Sequence, residues 1–372
     1  MLKERFIPLM IPDIQQQDID ALTDVLRSGM LIQGKKVEEF EHSIANYLNV
    51  KHAIAISNGT ATLHLALLAY GIGKGDEVIV PAFSYIATAN VVELVGATPI
   101  FVDIDRSTFN INTDLLELAI TSKTKAIIPV HEFGLACNIS EICEIAKKHE
   151  LIVIEDAACA LGAKENDRFA GTFGQIGSFS FHPRKAITSG EGGMLVTNND
   201  DLAKKIRILR NHGIDMIDGK MEFVDAGYNY RMTDFQAALV HSQLKRLPDI
   251  LDYKRGLSEI YFEDLGSNAN LSLPYAAANK VHTWQSFHIL LNDTIDRDQF
   301  FIKMNEHQIG VNYGAQCMPS QIFFKKKYKL NVEAMFPNAL NAYKQGVVLP
   351  LYEKLNSDDL HYIAATINSL LT

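Results

Sequence analysis

Cysteine is scarce: Cys137, Cys143, Cys159 and Cys317 are the only four in 372 residues. No two form a Cys-x-x-Cys pair, so neither a zinc ribbon nor a dithiol redox pair is expected. Four thiols in so long a chain do not make a disulfide scaffold either. Long apolar runs are also missing. None reaches the ~20 residues that a membrane helix needs. The opening Met1-Leu2-Lys3-Glu4-Arg5-Phe6 has no apolar signal core. A cytoplasmic protein without membrane contact is the expectation. Positive charge is in deficit, since 35 Lys and Arg against 44 Asp and Glu leave a net charge of −9. Nucleic-acid binding rests on Lys and Arg neutralising phosphates, so that class is disfavoured. What is present is ordinary: 47% hydrophobic and 21% charged residues exclude a disordered chain, a coiled coil and a collagen-like fibre. The length suits a large α/β domain with a smaller one.

Short β-branched runs alternate with helical patterns. Strands are expected at Ala53–Ser57, Val78–Pro81, Pro99–Asp103, Ala126–Val130, Leu151–Glu155, Gly177–Phe181 and Met194–Thr197. Most are continuously apolar, as strands buried on both faces are. Between them lie helical stretches at Thr60–Tyr70, Ile139–Glu150 and Asp201–Asn211. In the first, Leu63, Ala66, Leu67 and Tyr70 share one face. This alternation implies a largely parallel sheet covered by helices. After residue 246 the pattern becomes irregular. Leu247-Pro248-Asp249 reads as a helix end, followed by a strand at Ser286–Leu291, a solvated Lys325–Lys329 and a last helix at Ser357–Leu370. The expected domains are 1–246 and 247–372, the second a smaller α/β unit.

Three places carry chemistry. Strand Ala53–Ser57 turns through Asn58-Gly59-Thr60 straight into a helix. Free N–H groups and the threonine hydroxyl there can bind an anion, although such a turn more often holds a threonine N-cap. Leu151 to Asp156 ends an apolar strand in two carboxylates, where open α/β sheets bind ligands. An acid there could hold a protonated ring nitrogen or simply cap the next segment. Alternation sends Glu155 and Asp156 to opposite sides, and no histidine is near in sequence, so no metal is expected. Lastly, Gly177 to Lys185 leads into Gly190-Glu191-Gly192-Gly193. A lysine framed by glycines can be a carbonyl-trapping nucleophile, although most lysines are solvated surface charges.

Taken in order, the motifs resemble the DegT–StrS family of pyridoxal-phosphate (PLP) sugar aminotransferases, of fold type I. The resemblance runs from Ile7-Pro8-Leu9 and Ser28-Gly29 through Ser57 to His64 and Gly75 to Ile79. It continues in Glu155-Asp156-Ala157-Ala158, Phe179 to Lys185, Gly190 to Gly193, His212-Gly213 and Tyr228 to Thr233. It implies a large domain with a mainly parallel seven-stranded sheet and a smaller C-terminal α/β domain. By resemblance, Lys185 joins the cofactor covalently and shuttles the proton. Asp156 pairs with the pyridine N–H, which keeps the ring an electron sink. Gly59, Thr60 and Ser180 match phosphate ligands, and Tyr85 matches a residue stacked on the ring. Asn229 matches a residue reaching the phosphate of the other subunit, and Arg231 lies close to the substrate. A homodimer with shared active sites is implied.

The sequence also departs from the family. Cys159 stands where a glutamine or histidine usually bonds the ring phenolate, and a thiol is a weak donor. Either that contact is lost or a neighbour replaces it. Asn138 stands where many relatives carry aspartate. Gly314-Ala315-Gln316-Cys317-Met318-Pro319 replaces a His-Tyr/Pro-Leu-His segment near the sugar. The function implied is transamination of a nucleotide-linked keto-sugar to an amino-deoxy sugar for polysaccharide or a glycosylated metabolite. L-Glutamate would be the donor, leaving 2-oxoglutarate. The alternatives are a PLP-type sugar dehydratase, a class that replaces the lysine with histidine, and a non-catalytic regulatory protein on the same scaffold.

Overall fold

A strand with two apolar faces must be covered on both, and the seven expected strands form one sheet in the computed structural model, which describes residues 6–275 and 277–372. Residues 1–5, part of the segment read for a signal core, lie outside the described residues. The strands are β1 (His52–Ile56), β2 (Glu77–Pro81), β3 (Thr98–Val102), β4 (Thr124–Ile127), β5 (Ile152–Asp156), β6 (Ile176–Ser180) and β7 (Gly193–Thr197). Across the sheet they run β1-β7-β6-β5-β4-β2-β3. β4 stops earlier than expected, because Pro129 has no N–H to give the ladder.

All neighbours are parallel except at β7, which is antiparallel to both β1 and β6. The connection from β6 to β7 contains no helix, and a parallel return needs a crossover. The helix expected to show one apolar face, α1 (Gly59–Ala69), is instead buried nearly all round, from Ala61 to Leu67. It lies against β6 and β7 and against helices Ala87–Leu94 and Asp200–Arg210, so it presents no solvated face.

Leu247-Pro248-Asp249, expected to end a helix, opens one: Leu247–Leu265, with Pro248 in the first turn, where a missing N–H leaves no bond unmade. Leu257, Tyr261 and Leu265 face a second core. That core holds an antiparallel sheet of β8 (Leu271–Ser272), β9 (Phe287–Leu291) and β10 (Gly346–Leu349), with β9 central, and the last helix Ser357–Leu370. We propose a domain boundary at 246/247, with the segment around Ile7 crossing back to the second core. Ile7 is buried there and bridges Ile309. Among the described residues no helix is long and apolar enough to cross a membrane.

Candidate active site

The C-terminal ends of β1, β5 and β6 bring the expected residues together. After β1, Asn58 is the N-cap of α1. Its side-chain oxygen accepts the Ala61 amide at 2.8 Å. Capping therefore does not use Thr60, which is exposed on the first turn. The Gly59 and Thr60 amides find no acceptor among the described residues. With the positive end of the helix dipole behind them, they suit an anion. Two glycines permit this arrangement. A Cβ at Gly59 would stand 2.8 Å from Ser180 Cβ, and one at Gly193 would stand 2.6 Å from the Asn58 carbonyl oxygen. Gly193 opens β7 opposite both Ile56 and Ser180, so the turn after β1 meets the end of β6 across it.

Alternation separates the two carboxylates of β5 as expected. Glu155 is fully buried and structural: it accepts amides from Gly171 at 2.7 Å and Gly174 at 2.6 Å, and contacts His131 Nε2 at 2.9 Å. Asp156 faces the other way. Its Oδ2 accepts from the Thr88 hydroxyl at 2.9 Å and its Oδ1 from the Ala158 amide at 3.2 Å. Burial lifts the Asp156 carboxyl above the usual range, while these bonds and the Lys185 charge pull it back. A cation brought to this carboxylate would lower it further.

Lys185 is half-buried on the loop between β6 and β7, and its Nζ donates to Cys159 Sγ at 3.0 Å. Burial alone would push this amine down. Cys159, Asp156 and Glu132 outweigh that and hold it above an ordinary lysine. Cys159 itself is pushed up by burial and pulled back by Lys185. Lysine, thiol and two carboxyls thus form one polar cluster beside the anion-binding turn. A ring with a phosphate arm, a basic nitrogen and a carbonyl fits these donors. The turn suits the phosphate, Asp156 the nitrogen and Lys185 the carbonyl. This is the donor set of a PLP site.

The remaining expected residues lie around this centre. Tyr85 is 66% exposed and follows Ser84, whose oxygen lies 3.3 Å from the Thr88 hydroxyl. Gln316 and Cys317 pair with Ser84 and Phe83, and the Gln316 side chain accepts the Ile86 amide at 3.2 Å. The divergent C-terminal segment therefore runs along the rim beside Tyr85. Asn138 is elsewhere, accepting from Lys280 Nζ at 2.7 Å. Asn229 is exposed, on a segment whose Tyr230 carbonyl accepts the Ser57 amide at 2.8 Å. Arg231 Nη1 donates to Asn211 Oδ1 at 2.7 Å. Thr88, Ser84 and Glu132 were not legible as site residues. Each sits in its own segment, and no spacing in the sequence connects them to Asp156.

A model of the DegT/DnrJ/EryC1/StrS aminotransferase family matches residues 12–368. The spore coat polysaccharide biosynthesis protein SpsC of Bacillus subtilis is 35% identical, over 99% of this chain and 98% of its own. GDP-perosamine synthase of Caulobacter vibrioides is 39% identical over 91% of both chains. The PLP form of the putative sugar aminotransferase Spr1654 from Streptococcus pneumoniae superposes with a TM-score of 0.93, at 28% identity over 98% of each chain. Fold and sequence agree along nearly the whole length, and the chain belongs to the DegT/DnrJ/EryC1/StrS aminotransferase family.

Proposed function

We propose that this protein transfers the amino group of L-glutamate to a nucleotide-linked keto-sugar, using PLP, and so makes an amino-deoxy sugar. One observation carries the reading: Lys185, Asp156 and the Gly59–Thr60 turn converge on one cluster at the strand ends. When bound, PLP supplies an electron sink and a carbonyl that accepts the amino group and passes it on. The chain does the rest. Gly59, Thr60 and Ser180 bind the phosphate arm, and Tyr85 covers one ring face. Asp156 keeps the ring nitrogen protonated, with Thr88 fixing the carboxylate. Lys185 Nζ would take the proton from the carbon bearing the donor's amine and deliver it across the transferred nitrogen to the carbon that was the cofactor's carbonyl. With the sugar in place it works in the opposite direction. Arg231 lies towards the incoming substrate, and Cys159 orients Lys185.

The test uses the amine-loaded enzyme and a panel of nucleotide keto-sugars, read by mass spectrometry. One member should gain an amine in place of its ketone oxygen. If simple 2-oxo acids are aminated and no sugar is, the substrate assignment is wrong.

A homodimer with shared sites belongs to this reading. The hairpin Ile214–Ile217 and Lys220–Phe223 exposes Met216, Met221 and Phe223, and the turn at Met30–Ile32 is similarly apolar. Such patches suit burial by a second copy in the cytoplasm. The hairpin leads directly into Asn229, which we assign to the partner's phosphate. A mixed dimer tests this, with Lys185→Ala in one chain and Asn229→Ala in the other. The site that keeps its lysine then receives an intact asparagine, and activity should recover to about half of wild type per dimer. No gain over the Asn229→Ala homodimer would place the asparagine within its own chain.

A further inference from the structure

Glu132 has no part in the chemistry above, yet the residue is only 5% exposed and its buried Oε2 has no hydrogen-bond partner among the described residues. The turn that carries it is held from several sides. Cys137 donates its amide to His131 Nδ1 at 3.1 Å, which places the ring proton on Nε2, facing Glu155. The Glu132 amide donates to Asn110 Oδ1 at 2.9 Å. From the second domain, the Thr283 amide donates to the Gly134 carbonyl at 3.0 Å. So firm a mounting makes an accidental orphan a poor explanation. A buried acceptor without a partner costs free energy unless something completes it.

The titratable groups facing Glu132 are Asp156 from β5, Cys159 just after it and Lys185 from the loop after β6. Ser84 also bonds the carboxyl. Burial and then the Asp156 charge push Glu132 up to about 8, against an opposing pull from Lys185. At neutral pH it therefore keeps its proton, and a neutral carboxyl can donate. By the resemblance, Cys159 stands where a glutamine or histidine would meet the ring oxygen, and its sulfur already accepts from Lys185. The cluster thus lacks one strong donor and holds one unused one.

We propose that Glu132 donates the hydrogen bond to the PLP ring oxygen that Cys159 is too weak a donor to supply. This rests on the PLP reading, and the experiment separates the two. Without cofactor, the infrared difference between wild type and Glu132→Gln at pH 7 should show the carbonyl band of a protonated acid in wild type only. With PLP, Glu132→Leu removes the donor. The visible band of the bound cofactor should then titrate about one pH unit higher, with about tenfold weaker PLP binding. Glu132→Gln keeps an N–H donor and should stay near wild type. Adding Cys159→Gln to Glu132→Leu should restore both properties. A Glu132→Leu protein that titrates and binds like wild type overturns the proposal. So does the absence of the infrared band, which decides the matter even if Glu132→Leu does not fold. A wild-type protein that takes up no PLP overturns the functional reading instead.

Discussion

A Lys185→Ala protein is expected to fold, dimerise and bind PLP without a covalent link, while losing about 10⁴-fold or more of its turnover. The side chain makes one hydrogen bond, to Cys159, and lies on a loop rather than in either core. Its removal should therefore cost little stability. The chemistry has no substitute for it. Glu132 and Asp156 lie nearby, but a carboxyl cannot take over as an amine. Glutamate-dependent amination, measured beside circular dichroism and PLP titration, separates lost chemistry from lost folding. Undiminished turnover would show that another lysine is the reactive one.

Asp156→Asn should retain PLP and lose about 10³-fold in rate, the scale of removing one charge poised against a developing charge. The residues proposed to hold the phosphate, Gly59, Thr60 and Ser180, lie on other segments, and an asparagine oxygen can still accept from Thr88. A neutral amide cannot favour a protonated ring nitrogen, so the electron sink weakens in both halves of the reaction. Stopped-flow measurement with glutamate should show slow proton transfer with cofactor still bound. Near wild-type rates would remove Asp156 from its assigned place.

The strands were legible because a strand covered on both faces is mostly apolar, as Ile152-Val153-Ile154 in β5 and Met194-Leu195-Val196 in β7 are. The reversed direction of β7 was not, since direction depends on the connection rather than on the residues in the strand. The near-complete burial of α1 was not legible for a related reason. Its Leu63-Ala66-Leu67 stripe is real, but what packs on the opposite face comes from Asp200–Arg210, far along the chain. In the site, Lys185, Asp156 and Gly59 stand in motifs contiguous in sequence. Thr88 and Glu132 reach Asp156 only once β2, β4 and β5 lie side by side. No local pattern records that adjacency.

The clamp on the Glu132 turn bears on how the chain matures during synthesis. Thr283 reaches Gly134 across 149 residues, and the Ser286 amide reaches the Phe133 carbonyl. Every strand of the central sheet has been made once residue 197 emerges, so the sheet can form early. The clamp from the second half of the chain can be added only much later, when residues 283–286 have left the ribosome. Contacts this distant form slowly even in a free chain. A nascent chain thus passes through a stage with its sheet complete and its Glu132 turn held from one side only, and chains that stop short of residue 283 remain there. In this fold the finished pocket reports that the chain has been made at least as far as residue 286.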